Sequence, residues 1–290
     1  MLGLVHQVLS GLAIGSIYAC VALAVVMIYQ ATHLVNFAQG EMATFSTYIA
    51  WALIEAGVPY WAAFFLTVGF SFLMGMAIER LLIRRFDKAP VLAVVIVFIG
   101  MLVIFNSLTG WLFSYTIKSF ASPFPEKFAL GNGYMSPHEL GSVGVTLAVL
   151  AVVYAFFRFT PLGLAMRAAA QNPVSARLVG IRVGYMLAIG WGLAAAIGAV
   201  AGMMAAPIVY LDPNMMSGVL LYGFAGALLG GIDNPWGAAM GGFIVGVLEN
   251  IAGAYLVGEE IKLSVALAII IGVLVAKPSG LFGRVLVTRV

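Results

Sequence analysis

Apolar residues in this chain run on almost unbroken for about twenty positions at a time, and polar residues gather in the gaps between the runs. The runs predict helices at roughly 7–29, 36–54, 59–80, 90–112, 141–158, 184–210, 236–256 and 261–276, with a shorter apolar piece at 216–231. The fold class is therefore all-α: a polytopic transmembrane helix bundle with roughly eight to nine membrane segments. A transmembrane barrel is excluded, because the runs are continuous and do not alternate at every second residue. Two gaps are long. Residues 114–140 hold Pro123, Pro125, Pro137 and a Gly131-Asn132-Gly133 turn, which reads as the one sizeable loop. Residues 159–183 form a second polar interruption.

Composition hardens this picture. Of 290 residues, 63% are hydrophobic and 9% charged, with a mean hydropathy of +1.10. Soluble domains carry about 25% charged residues. Too few charges remain here to cover a water-facing surface, which excludes an ordinary soluble enzyme, a disordered protein and a free nucleic-acid binder. The net charge of +3 has a topological source. Eleven of the 14 basic residues fall into three clusters: Arg80, Arg84, Arg85 and Lys88; Arg158, Arg167, Arg177 and Arg182; Lys277, Arg284 and Arg289. Lys118, Lys127 and Lys262 lie elsewhere. An even number of segments separates each cluster from the next, so all three can share one side. Cytoplasmic loops collect Lys and Arg. The N-terminus is then expected outside and the C-terminus in the cytoplasm, and no nucleic-acid partner is needed. The opening residues lack the basic region of a secretory signal, so the first helix is expected to be retained. Cys20 lies inside an apolar run and reads as a small buried hydrophobe.

Candidate chemistry sits at a few polar breaks. Asn36, Gln39 and Glu41 open an otherwise apolar helix. One reading is a helix start near the membrane surface, with Asn36 as cap and Gln39 in a pattern like a capping box. The other is a polar break lining a solute path, because ionisable groups inside a membrane are costly. Glu249 and Asn250 interrupt the 236–256 run; they serve either as polar glue between helices or as pathway residues. The 216–231 piece, with Tyr222 and five glycines, reads equally as a broken helix beside a path or as a short tilted helix. Gly11/Gly15, Gly198/Gly202 and Gly242/Gly246 form G-x-x-x-G pairs and predict close helix packing. The acids Glu41 and Glu249 are expected to face the bundle interior. In the 160–183 segment, Leu164 to Ala170 favours helix, and Pro173 either breaks it or starts a second helix from an Asn172 cap. Leu164, Met166, Arg167, Gln171, Asn172 and Arg177 are candidates for docking a cytoplasmic partner; the alternative is an ordinary helical loop with stop-transfer arginines. The sequence holds no H-E-x-x-H, no phosphate-binding loop and no G-x-G-D pattern. Catalytic residues, metal ligands and cofactors are not expected.

Several segments together resemble one family, the permease subunits of branched-chain amino acid ABC importers of the Liv H type. Asn36-Phe37-Ala38-Gln39-Gly40-Glu41 is similar to its N-F-A-H-G-E signature. The stretch from Met166-Arg167-Ala168 to Leu178-Val179-Gly180-Ile181 resembles its cytoplasmic coupling segment. Leu228-Leu229-Gly230-Gly231 through Pro235-Trp236-Gly237-Ala238, then Gly241-Gly242 and Gly246 to Glu249, resembles its glycine-rich run. Lys277-Pro278-Ser279-Gly280-Leu281-Phe282-Gly283 resembles its C-terminal ending. Gln39 stands where the pattern has His, and Asp233-Asn234 where it has Gly-Ser; these departures bear on the solute, not on the transporter class. The resemblance implies one permease domain over residues 1–290 in a bacterial inner membrane. It also implies three kinds of partner: cytoplasmic ATPase subunits that grip residues near 164–180, a second homologous permease subunit, and a periplasmic solute-binding protein. Branched-chain amino acids, urea, amides and other carboxylates are the solutes it implies. A self-sufficient channel or secondary transporter using Asn36, Glu41 and Glu249 is the alternative.

Overall fold

Continuous helix fills the apolar runs, because in lipid each backbone N–H and C=O must find its partner within the segment. The computed structural model describes residues 2–32, 34–86, 89–124, 135–258 and 261–283. Eleven α-helices follow in order: α1 (Leu2–Thr32), α2 (Gln39–Glu55), α3 (Tyr60–Leu81), α4 (Val91–Phe113), α5 (Pro137–Phe159), α6 (Pro161–Gln171), α7 (Pro173–Leu178), α8 (Val183–Val209), α9 (Met215–Gly230), α10 (Pro235–Ala252) and α11 (Lys262–Ala276). A short 3₁₀ turn, Ile83–Phe86, follows α3, and a π turn, Gly253–Val257, ends α10. Among the described residues, six helices are long and apolar enough to cross a membrane: α1, α3, α4, α5, α8 and α10, while α9 is a shorter apolar helix. The expected eight to nine segments are an approximate count: among the described residues six helices and the shorter α9 stand as membrane segments. Lys88, His33, Pro125, Lys127, the Gly131-Asn132-Gly133 turn, Arg284 and Arg289 lie outside the described residues.

The helices group into two compact units. The first comprises Met1–Val26, Ala121–Thr146 and Ser217–Val290; the second comprises Met27–Phe120 and Leu147–Met216.

In the first unit, glycines set the helix spacing. A Cβ on Gly246 of α10 would overlap the Gly15 backbone of α1, and one on Gly15 would come within 2.9 Å of Phe243 Cα. Gly226 of α9 faces Gly242 Cα at 2.7 Å in the same sense. These are backbone-on-backbone seams, as the G-x-x-x-G spacing predicts. The 216–231 piece is thus an unbroken helix, α9, and Gly223, Gly226 and Gly230 are contact points. A reciprocal capping box starts α5: the Ser136 N–H donates to Glu139 Oε2 (2.6 Å), and the Glu139 N–H donates to Ser136 Oγ (3.2 Å). The helix therefore begins at Pro137, four residues before its predicted start.

In the second unit, α8 is the central element, with nearly its whole length buried. It packs along α3, where Gly75 of α3 meets the Trp191 backbone and a Cβ on Gly192 of α8 would come within 2.8 Å of the Phe72 carbonyl. It also packs on α2 through Gly198 and Gly202. Two capped helices, α6 and α7, precede it. Thr160 Oγ1 accepts from the Gly163 N–H (3.0 Å), and Asn172 Oδ1 accepts from the Ser175 N–H (3.0 Å). Pro173 therefore starts a second helix from an Asn172 cap. At the far end of α8, Lys118 and Leu211 form an isolated two-bond antiparallel bridge.

Candidate functional site

The polar residues singled out from sequence gather at two nodes, one in each unit. Both hold a buried carboxylate, and burying a charge is unfavourable unless it is paired or hydrogen-bonded.

In the first unit, α10 places Glu249 inside the bundle at 3% exposure. Its Oε2 accepts from the Tyr18 hydroxyl of α1 at 2.7 Å. Its Oε1 lies 3.3 Å from the ammonium of Lys262, the first residue of α11. Tyr222 of α9 stacks on Tyr18, with ring centroids 4.9 Å apart and planes 15° apart. Three helices thus converge on one carboxylate, and a fourth stacks on its tyrosine donor. Asn250 does not join this node. One residue on, its amide donates to the carbonyl and to the side-chain oxygen of Gln7 (2.7 Å each), tying α10 to α1.

In the second unit, α2 starts beside the middle of α8. The Gln39 Nε2–H donates to the Ala194 carbonyl at 3.0 Å, and its amide lies flat on Gly198, where a Cβ would come within 2.5 Å. Gln39 is 1% exposed, and among the described residues its Oε1 has no hydrogen-bond partner. Because α8 is long enough to span, the first turn of α2 lies at mid-depth of that span, not at its surface. The capping box expected at 36–39 does not form: Ala38 is the N-cap, without a side-chain bond. Asn36 Oδ1 instead accepts from the Ala38 N–H (3.0 Å) as an Asx turn, and Gln39 turns outward to α8. The neighbouring Glu41 is 5% exposed, and its Oε2 accepts from Asn106 Nδ2 of α4 at 3.2 Å. The same Asn106 amide reaches the Pro213 carbonyl (3.2 Å) and Asn214 Oδ1 (2.9 Å) ahead of α9. Both acids therefore face the bundle interior, as expected. Asn106, Tyr18 and Lys262 escaped the sequence reading. A lone amide in the apolar run of α4 was the available signal for Asn106.

The 160–183 candidates lie on α6 and α7. One face is buried: Ala169, Ala176 and part of Met166 pack with Val183, Met186 and Ile189 of α8. The other face is open: Leu164, Arg167, Gln171, Asn172, Val174, Arg177 and Leu178 are exposed. The Arg84 guanidinium bonds the Gly184 carbonyl, which ties the turn after α3 to the start of α8. Among the described residues, no group of His, Cys, Asp and Glu is placed to hold a metal ion.

A multi-helix bundle that buries carboxylates, amides and tyrosines between apolar helices defines a class: a multi-pass membrane protein with polar groups inside its span. The chain belongs to a family described as branched-chain amino acid transport system / permease component, whose model matches residues 7–274. It is similar to the high-affinity branched-chain amino acid transport system permease protein LivH of Escherichia coli, at 28% identity over 98% of this chain and 97% of that one. It is also similar to the permease protein BraD of Pseudomonas aeruginosa, at 30% identity over the same shares. A solved structure, PsaBC from Streptococcus pneumoniae in complex with Fab, aligns at a TM-score of 0.48 and 14% identity, over 90% of this chain and 87% of that one.

Proposed function

We propose that this permease is the membrane subunit of an ATP-driven importer and passes branched-chain amino acids, or a related small polar solute, inward. The observation that carries this reading is the two-faced α6–α7 pair. Its inner face is welded to α8, while its outer face presents Leu164, Arg167, Gln171, Val174, Arg177 and Leu178 to a partner. A short amphipathic pair of this kind suits a groove on a cytoplasmic ATPase. The family and the names of the relatives support the solute class. ATP is bound by those separate subunits, not by this chain. A second homologous permease subunit completes the path, and a periplasmic binding protein delivers the solute. Residues 1–290 act as one permease domain in the bacterial inner membrane, N-terminus outside and C-terminus in the cytoplasm.

In this reading Asn36, Gln39 and Glu41 of the second unit, and Tyr222 and Glu249 of the first, are the polar groups offered to solute, each node taken by itself, while Asn250 fixes α10 against α1. The permease is to be purified with its ATPase and permease partners and placed in liposomes with the binding protein. Uptake of a branched-chain amino acid should require ATP inside the vesicle. Uptake by this chain alone, without ATPase subunits, would establish a self-sufficient carrier and overturn the reading.

A further inference from the structure

We propose that Glu79, Arg84 and Arg80 lock the end of α3 to the start of α8, so that the α6–α7 pair drives the two helices as one lever. This rests on α6–α7 being the ATPase-docking element.

Glu79 lies near the end of α3 with its side chain 3% exposed. The Arg84 guanidinium, on the turn that follows, holds both carboxylate oxygens: Nη2 is 2.9 Å from Oε2 and 3.1 Å from Oε1, and Nε is 3.2 Å from Oε1. A bidentate fork of this kind fixes the guanidinium plane. The same Nη2 also donates to the Gly184 carbonyl in the first turn of α8. One residue on, the Arg80 guanidinium stands 5.5 Å from the ring centre of Tyr185. Two cations from the end of α3 therefore grip consecutive residues of α8. Further along, the helix backbones touch at Gly75 and Gly192. This leaves no room for the helices to slide without breaking both contacts.

The docking pair sits on both helices. Ala169 of α6 and Ala176 of α7 share one apolar cluster with Val183, Met186 and Ile189 of α8, and Phe72 and Met76 of α3 pack against it. A push on α6–α7 is thus delivered to α3 and α8 together. The middle of the lever holds α2. Ala194 and Gly198 of α8 seat Gln39, and the Ser71 hydroxyl of α3 bonds Ser46 Oγ of α2 at 2.7 Å. Motion at the docking face then reaches the mid-depth node through packed, two-sided contacts.

The test uses the assembled transporter in liposomes. Removing both charges with Glu79→Gln/Arg84→Gln should leave the ATPase subunits bound and ATP hydrolysis running. Solute moved per ATP should fall about five- to tenfold. An unchanged ratio overturns the lever. Loss of ATPase co-purification overturns it too, since the clamp would then only shape the docking face. If the docking reading itself is wrong, disrupting the exposed face of α6–α7 leaves ATPase association intact, a separate result. Should the charge-free variant not fold, a cross-link decides. Arg80→Cys/Tyr185→Cys places two exposed thiols across the clamp, while the native Cys20 is buried and unreactive. The unbridged variant lacks one of the two grips; bridging the thiols with a short bis-maleimide should raise solute moved per ATP back toward that of the native chain, because the two helices travel together. Arrest of uptake on bridging would show that they must part, and would overturn the proposal.

Discussion

The two units bury a carboxylate in opposite ways. Around Glu249 the structure supplies compensating charge: a lysine ammonium, a tyrosine hydroxyl and a stacked second ring. The helices that bring these groups together are set backbone against backbone by Gly11, Gly15, Gly242 and Gly246. Around Glu41 and Gln39 the described bonds come from neutral amides, and the glycines of α8 receive side chains: Gly198 the Gln39 amide, Gly202 the Thr47 hydroxyl. One buried acceptor there, Gln39 Oε1, is left unbonded. An unsatisfied buried acceptor forgoes about 1–3 kcal/mol, a cost that native cores avoid unless the group has another use. The first node is built to hold its geometry. The second keeps hydrogen-bonding capacity in reserve, which is what the proposed place on a solute path requires.

The largest expected effects come from the seams. Gly246→Ala drives a methyl into the Gly15 backbone, which has no side chain to swing aside. It should cost about 3 kcal/mol and depress the thermal midpoint of the purified protein. Gly198→Ala meets the end of a flexible amide and should cost about 1 kcal/mol. If the two substitutions cost the same, the distinction between a rigid and a yielding seam fails. Next comes Lys262→Met. It strands the Glu249 carboxylate, and with Lys262 itself 29% exposed the loss should be about 2–3 kcal/mol. Adding Glu249→Gln in that background should restore most of the loss. A double variant as unstable as Lys262→Met alone would show that the pair is not what holds this node.

The spans were legible because lipid demands a nearly unbroken apolar run for each one, and polar residues can accumulate only between runs. The α6–α7 pair was legible for a local reason: Asn172 followed by Pro173 carries its own cap and start signal. Less was visible where the physics is non-local. Nothing near Glu249 in sequence names Tyr18 or Lys262 as its partners, which lie 231 positions away in the first case. Lys262 looked like a stray cation outside the topological clusters. Arg84 was absorbed into a cluster of basic residues and Glu79 was not singled out, although their separation of five residues lets a turn fold one onto the other. The start of α5 was missed despite a local signal: Ser136, Pro137 and Glu139 spell a capping box with proline at the first helical position. At Asn36 the same grammar misled, because Gln39 found a better partner in α8 than in its own helix end.

A moderate effect is expected at Gln39. Gln39→Leu removes one bond to a carbonyl that already serves the α8 ladder, and it also removes the unbonded acceptor. Stability should change by less than about 1 kcal/mol. Uptake should nevertheless fall about tenfold if the amide meets solute, an effect worth about 1.4 kcal/mol at the barrier. Paired measurements of the unfolding midpoint and of ATP-driven uptake separate the two. A variant that loses stability but keeps uptake would make Gln39 a packing residue, and the contrast between the nodes would lose its functional half.

The smallest effect isolates function from packing within one helical turn. Glu249 and Asn250 are adjacent, yet they point to different partners: one to the Tyr18–Lys262 node, the other to Gln7. Hydrogen bonds between helices in lipid are worth about 0.6 kcal/mol on average. Asn250→Ala should therefore lower stability by about that amount and leave uptake per ATP unchanged. Glu249→Gln keeps the shape and a bond for Tyr18 while removing the charge; it gives up the pair with the partly exposed Lys262, a cost of about 1 kcal/mol, and its larger effect should fall on uptake. If Asn250→Ala impairs uptake as strongly as Glu249→Gln, the boundary between pathway and glue does not run between these two residues. The whole C-terminal turn of α10 would then belong to the path.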